Sequence, residues 1–268
     1  MQTMPSSPPK GRTQLSQVLR QAGDIVSVAD VSTTLQVNRQ GAAKLLARWH
    51  GQGLVKRLRR GYYAPVPLAA LGQEQVLEDA WVLVPELFAP ACIGGWSAAE
   101  HWGLTEQLFR STCVLTAQPV HVKEQTIQGS SFVLKHVRPE ALFGMRPVWR
   151  GQARIDVSDP AKTIIDMLDD PAIGGGIRHV ADCLAGYLER EDASDEALLS
   201  IADRLGNRAV FKRLGFLAER LPGRQELAIA CRERLSQGTA KLDPSLPCPR
   251  LVTRWRLRVP SSWSQGPR

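Results

Sequence analysis

The spacing of apolar positions changes along the chain, and each change predicts an element. Leu15, Val18 and Leu19 share one face of a helix over about 13–21, which Gly23 ends. Ser27, with Asp30 three residues on, has the spacing of a capping box and opens a short helix to about Leu35. Gln36-Val37 makes a turn. Asn38 is a good N-cap for a third helix, which runs to about His50 and stops before Gly51 and Gly53. In that helix Ala42, Leu45, Leu46 and Trp49 recur at i, i+3, i+4 and i+7 and face a core. The opposite face carries Gln40, Lys44 and Ala47, flanked by Ala43 and Arg48, with Arg39 in the first turn. Leu54–Leu58 and Tyr62–Ala64 read as short strands around Arg59-Arg60-Gly61, where Gly61 can take the positive φ that a tight hairpin often needs. Pro65 and Pro67 should close the ladder, because proline has no N–H to give it.

Two helices, a tight turn and a basic hairpin predict a winged helix-turn-helix over residues 13–66. Residues 1–12 are expected as a disordered basic arm before it and 67–79 as a linker helix after it. From about residue 80 the pattern becomes mixed. Trp81–Phe88 is apolar and helical or mixed. Ser97–Gly103 reads as a short helix behind a Gly94-Gly95 turn. Thr112–Thr116, Phe132–Val137, Val148–Trp149 and Ala153–Val157 read as strands. Ser158-Asp159-Pro160 opens a helix with Ile164, Ile165 and Leu168 on one face, and helices follow at about 177–190, 194–205, 207–221 and 224–236. Leu251–Val259 alternates, with Arg254, Arg256 and Arg258 on the outer side, so it reads as a half-buried strand returning to the sheet. The expected class is α+β: an N-terminal winged helix-turn-helix and a larger mixed α/β domain over 80–260, with a tail at 261–268.

Charge sharpens this picture. Residues 1–70 hold ten Lys and Arg against two acids, Asp24 and Asp30, a local +8, while the other 198 residues carry 24 charges of each sign. The whole excess thus sits on the predicted reader, which points to a polyanion partner for that part alone. Duplex DNA is the expected partner. The recognition helix would lie in the major groove, with Gln40 suited to adenine and Arg39 or Lys44 to guanine. Arg57, Arg59 and Arg60 suit phosphates or a minor groove along the wing. Asn38, Arg48 and Lys56 complete the candidate DNA-binding set.

Other chemistries find little support. The five cysteines, Cys92, Cys113, Cys183, Cys231 and Cys248, form no C-x-x-C pair and are expected reduced and mostly buried. Five scattered histidines lack metal-ligand spacing. Gly174–Gly176 lacks a phosphate-loop frame and reads as a turn. Glu100, Asp156, Asp159 and Asp166 could be imagined as a nuclease cluster, but no D…E-x-K pattern binds them, and Asp159 reads as a helix cap. Trp96, Trp102, Trp149 and Trp255 are expected as core anchors. The expectation is therefore no catalytic residue, no metal and no cofactor. With no leader-like or membrane-spanning apolar run, a cytoplasmic location is expected.

The ordered segments also resemble a known family. LARWHGQGLVKRLRRGYYAP resembles the winged-helix domain of AbiEi antitoxins. GGWSAAEHWGLTEQ, VRPEALFG with ARIDVSDPAKTIIDML, GGIRHVADCL, NRAVFKRLGFLAER, and KLDPSLP with LVTRWRLRV resemble later segments of that family, in order, over about 13–259. The resemblance implies the antitoxin half of a bicistronic toxin–antitoxin system tied to phage defence by abortive infection. The toxin would be nucleotidyltransferase-like. The winged helix would repress the operon at promoter inverted repeats through Arg39, Gln40, Lys44, Arg48, Arg57, Arg59 and Arg60. The C-terminal domain would neutralise the toxin, in many members without a stable complex, and two copies would meet on one DNA site. No catalytic residue carries over. A different reading of the same architecture is a winged-helix regulator whose second domain binds a small effector.

Overall fold

In a computed structural model, described for residues 10–22, 25–66, 79–151 and 153–263, the chain is mixed α and β. It divides into two compact units, residues 1–78 with 126–130 and residues 79–125 with 131–268.

The first unit contains α1 (Lys10–Ala22), β1 (Val26–Ser27), α2 (Val28–Leu35), α3 (Arg39–Gly51), β2 (Val55–Arg59) and β3 (Tyr62–Pro65). Strand β3 pairs antiparallel with both β2 and β1, so the three strands run in the order β1-β3-β2. The helices bury Leu15, Val18, Val31, Ala42, Leu46 and Trp49 in one core with Val26, Val55 and Tyr63 from the strands. Helix α1 starts earlier than the sequence suggests, taking in residues 10–12 of the expected arm; the rest of the arm lies outside the described residues. Strand β3 ends at Pro65, which stands opposite Val55; Pro67 lies outside the described residues. The expected linker helix lies outside the described residues except for Asp79. That residue is extended, and its carboxylate caps the 3-10 turn Ala80–Leu83 through the Trp81 N–H at 2.9 Å.

The second unit is built on a six-stranded mixed sheet. Its strands are β4 (Ala91–Ile93), β5 (Ser111–Thr116), β6 (Glu124–Ile127), β7 (Ser130–His136), β8 (Met145–Arg150) and β9 (Ala153–Ser158), in the order β6-β7-β5-β4-β9-β8. The neighbours β5 and β7 are parallel, as are β4 and β9, while β4–β5 and β8–β9 are antiparallel. Helices α4 (Val84–Phe88), α5 (Gly95–His101), α6 (Pro160–Asp169), α7 (Ile177–Leu188), α8 (Asp195–Leu205), α9 (Arg208–Ala218) and α10 (Gln225–Glu233) complete it. From Pro160 to Leu168 every residue of α6 is buried, so it is a central helix rather than one with a single apolar face. Its start is fixed by Asp159, which accepts the Lys162 N–H at 2.8 Å, and by Pro160 in the first turn.

The end of the chain departs from expectation. Leu251–Val259 is not one strand. Strand β11 (Arg250–Val252) is followed by a 3-10 turn over Thr253–Trp255 and by Arg256 at φ 48°, and the chain then returns antiparallel as β12 (Leu257–Val259). Nor does it join the large sheet: β12 pairs with β10 (Ala240–Lys241) in a separate sheet, β10-β12-β11. Alternation in sequence fits a tight hairpin as well as a straight strand. The break lets the Trp255 ring turn wholly inward while Leu251 stays exposed. Trp149 also departs from its expected place: it is 64% exposed on β8, an edge strand.

Candidate nucleic-acid interface

Local hydrogen bonds set the entry angle of α3. The capping box of α2 is complete: the Ser27 N–H donates to Asp30 Oδ2 at 2.7 Å and the Asp30 N–H to Ser27 Oγ at 3.2 Å. At its other end Gln36 takes the left-handed conformation at φ 51°, and the Ser32 hydroxyl donates to the Val37 carbonyl at 2.7 Å. The chain thus turns within Gln36, Val37 and Asn38. Asn38 Oδ1 then accepts the Gly41 N–H at 2.8 Å and starts α3. Asn38 is therefore committed to the helix, and any contact with a ligand is secondary to that role. The helix ends on a backbone bond from the Leu54 N–H to the Trp49 carbonyl, with Gly53 at φ 70°.

Pinned in this way, α3 presents one face inward and one outward. Ala42, Leu46 and Trp49 are fully buried and Leu45 partly so. Arg39, Gln40, Ala43, Lys44, Ala47 and Arg48 are all exposed. From Val31 to Val66 the sequence contains seven Lys and Arg and no Asp or Glu, so no carboxylate of that segment competes for these cations. Ala43 and Ala47 keep the space between the long side chains clear, so a surface can approach the helix closely.

The hairpin is fastened to the same body. Ser27 stands opposite Tyr62 and Val26 opposite Tyr63, and the Val28 N–H donates to the Gly61 carbonyl at 3.1 Å. Gly61 sits at φ 87°, a conformation that L side chains rarely adopt. The ladder slips between Arg57 and Arg59, and this irregularity separates the four cations of the hairpin. Arg57 and Arg60 are exposed, whereas Lys56 and Arg59 are half-buried. The Arg59 guanidinium lies 4.6 Å from the centre of the Tyr62 ring. Tyr62 was not among the residues singled out in sequence. Its signal is the aromatic that directly follows the Arg59-Arg60-Gly61 turn.

In the second unit the imagined nuclease carboxylates serve separate ends. Glu100 is exposed, Asp156 pairs with Arg154 at 3.3 Å, Asp159 caps α6, and Asp166 is buried. Among the described residues no three His, Cys, Asp or Glu side chains are grouped as metal ligands. Asp166 instead anchors a buried polar network. It pairs with Lys162 and accepts the Ser158 hydroxyl at 3.2 Å, and the Cys92 thiol lies 3.7 Å from that hydroxyl. Burial raises the Asp166 carboxyl above the usual range, with Lys162 and Ser158 opposing the shift. The five cysteines are buried and unpaired, and burial pushes the Cys92, Cys183 and Cys231 thiols up to about 12, so at neutral pH they stay protonated and poorly nucleophilic.

No helix among the described residues is long and apolar enough to cross a membrane. A scan against protein-family models and a search of curated proteins each return no match for this chain.

Proposed function

We propose that the chain is a sequence-specific DNA-binding repressor whose first unit is a winged helix-turn-helix. One observation carries the reading: the outward face of α3 and the tip of the hairpin are basic, free of acid and held by one core. Helix α3 would enter the major groove, with Arg39, Gln40 and Lys44 at base edges and Arg48 at the backbone. Arg57 and Arg60 would hold phosphates, Lys56 would support them, and Arg59 would approach DNA only as far as Tyr62 lets it. The resemblance to AbiEi antitoxins extends the proposal. The second unit would neutralise a nucleotidyltransferase-like toxin from the same operon, with the operon repressed through promoter inverted repeats. Two copies would then meet on one operator, because inverted repeats impose two-fold symmetry.

Binding to a duplex from the chain's own promoter, titrated across salt concentrations, tests the DNA reading. Replacing Arg57 and Arg60 together with alanine should lower the slope of log affinity against log salt by about 2, close to one counterion per lost phosphate contact. Gln40→Ala should leave that slope intact and narrow the preference for the promoter over a scrambled duplex. A slope unmoved by the double substitution removes the hairpin from the interface. No binding at low salt removes the DNA reading altogether.

A further inference from the structure

A cleft of about 320 Å³ opens in the second unit where the parallel strands β5 and β7 reach their carboxyl ends. The volume lies at the small end of the range for organic molecules. Its lining comes from separate elements: Leu115 from β5, Val137 and Arg138 following β7, Asp169 from α6, Ile173 from the turn after α6, and Leu205 from α8. Leu115 and Ile173 are buried, and with Val137 and Leu205 they give the cleft an apolar floor.

The polar groups around that floor differ in how far they are engaged. Lys135 and Asp170 neutralise each other. Asp166 spends both oxygens on Lys162 and Ser158. Asp169 Oδ1 accepts the Asn207 side-chain N–H at 2.6 Å, while its Oδ2 has no hydrogen-bond partner among the described residues. The Arg138 guanidinium is exposed and makes no hydrogen bond or ion pair among them. An apolar floor with one uncommitted cation and one half-committed carboxylate suits a ligand that carries both charges and an apolar tail.

We propose that this cleft binds a free apolar α-amino acid. Its carboxylate would pair with Arg138, its ammonium with Asp169, and its side chain would lie on Leu115, Val137, Ile173 and Leu205. The inference is independent of the DNA and antitoxin readings, since it concerns the second unit and binding is measured without DNA or toxin.

Calorimetric titration of the full chain with L-leucine, L-phenylalanine, and three analogues of leucine tests it. 4-Methylpentanoate lacks the ammonium, leucinol lacks the carboxylate, and leucinamide mimics a peptide amino terminus. The expected result is binding of at least one amino acid and at least a tenfold loss for each analogue, about 1.4 kcal/mol. Arg138→Gln should abolish the preference for leucine over leucinol and spare that over 4-methylpentanoate; Asp169→Asn should do the reverse. Both positions are outside the buried core, and thermal melting of each variant checks that it folds. No heat with either amino acid up to ~10 mM overturns the proposal. So does leucinamide binding as tightly as leucine, which would make the site a reader of peptide termini, or a uniform loss for all ligands in both variants.

Discussion

Removal of Lys162 should be felt strongly. It lies on a helix buried on all sides, with its ammonium against Asp166 and 4.8 Å from the centre of the Phe143 ring. Lys162→Met would keep the apolar stem but strand a carboxylate away from water, which typically costs about 3–5 kcal/mol. The loss should depend on pH. Burial already raises the Asp166 carboxyl, so the folded chain holds that proton to higher pH than the unfolded chain does. Its contribution to stability therefore falls as pH climbs from the unfolded value through the folded one. Losing Lys162 lifts the folded value further and widens that window. Urea unfolding should thus show the variant losing less, relative to the parent, near pH 5 than near pH 7.5. An equal loss at both would mean that Asp166 is neutral or solvated in the parent.

At the scale of elements, Gly215 marks where α9, α10 and the turn holding Trp255 close on each other. A Cβ there would sit 2.2 Å from the Trp255 ring and 2.8 Å from Cys231 Cβ. Gly215→Ala should cost roughly 1–3 kcal/mol by overpacking. Trp255→Phe frees space in the same slot but forfeits the indole bond to Glu219 at 2.9 Å. The two changes should therefore be less damaging together than their sum, and unfolding free energies for both single variants and the double variant measure that coupling. Strict additivity would show that the helices yield and the ring does not. This contact also marks the limit of reading the sequence. The caps of α2, α3 and α6 were legible because each is a bond between residues three apart. The outward face of α3 was legible because it follows from a period of 3.6. The strands β4 and β10 are only three and two residues long and are defined by partners far along the chain, so no local pattern announced them, whereas β6 meets β7 across the Gln128-Gly129 turn, a local signal that went unread. Period two says that Trp149 and Pro147 share a face, but not that their face meets solvent. A cleft assembled from several elements is likewise a product of tertiary structure.

For the whole molecule, the division of charge and the division of cores coincide. The basic excess lies within residues 1–70, and the first unit has its own core of Leu15, Val18, Val26, Val31, Ala42, Leu46, Trp49, Val55 and Tyr63. The second unit's largest core is drawn from α5–α10 and the terminal sheet, and uses none of those residues. Two cores imply that the two proposed activities can be cut apart. A fragment of residues 1–78 should fold, bind the promoter duplex with the salt slope of the full chain, and fail to relieve growth arrest by the proposed toxin. A fragment of residues 79–268 should bind no DNA and should restore growth. Both fragments, expressed beside the induced toxin gene and titrated against the promoter, decide the matter. Rescue by the first fragment would move the antitoxin role onto the DNA reader, where occupying or silencing DNA would have to explain it. If no part of the chain, nor the whole, restores growth, the toxin–antitoxin extension falls. The DNA reading would then stand on its own titration, and amino-acid binding in the cleft would become the leading account of what the second unit contributes.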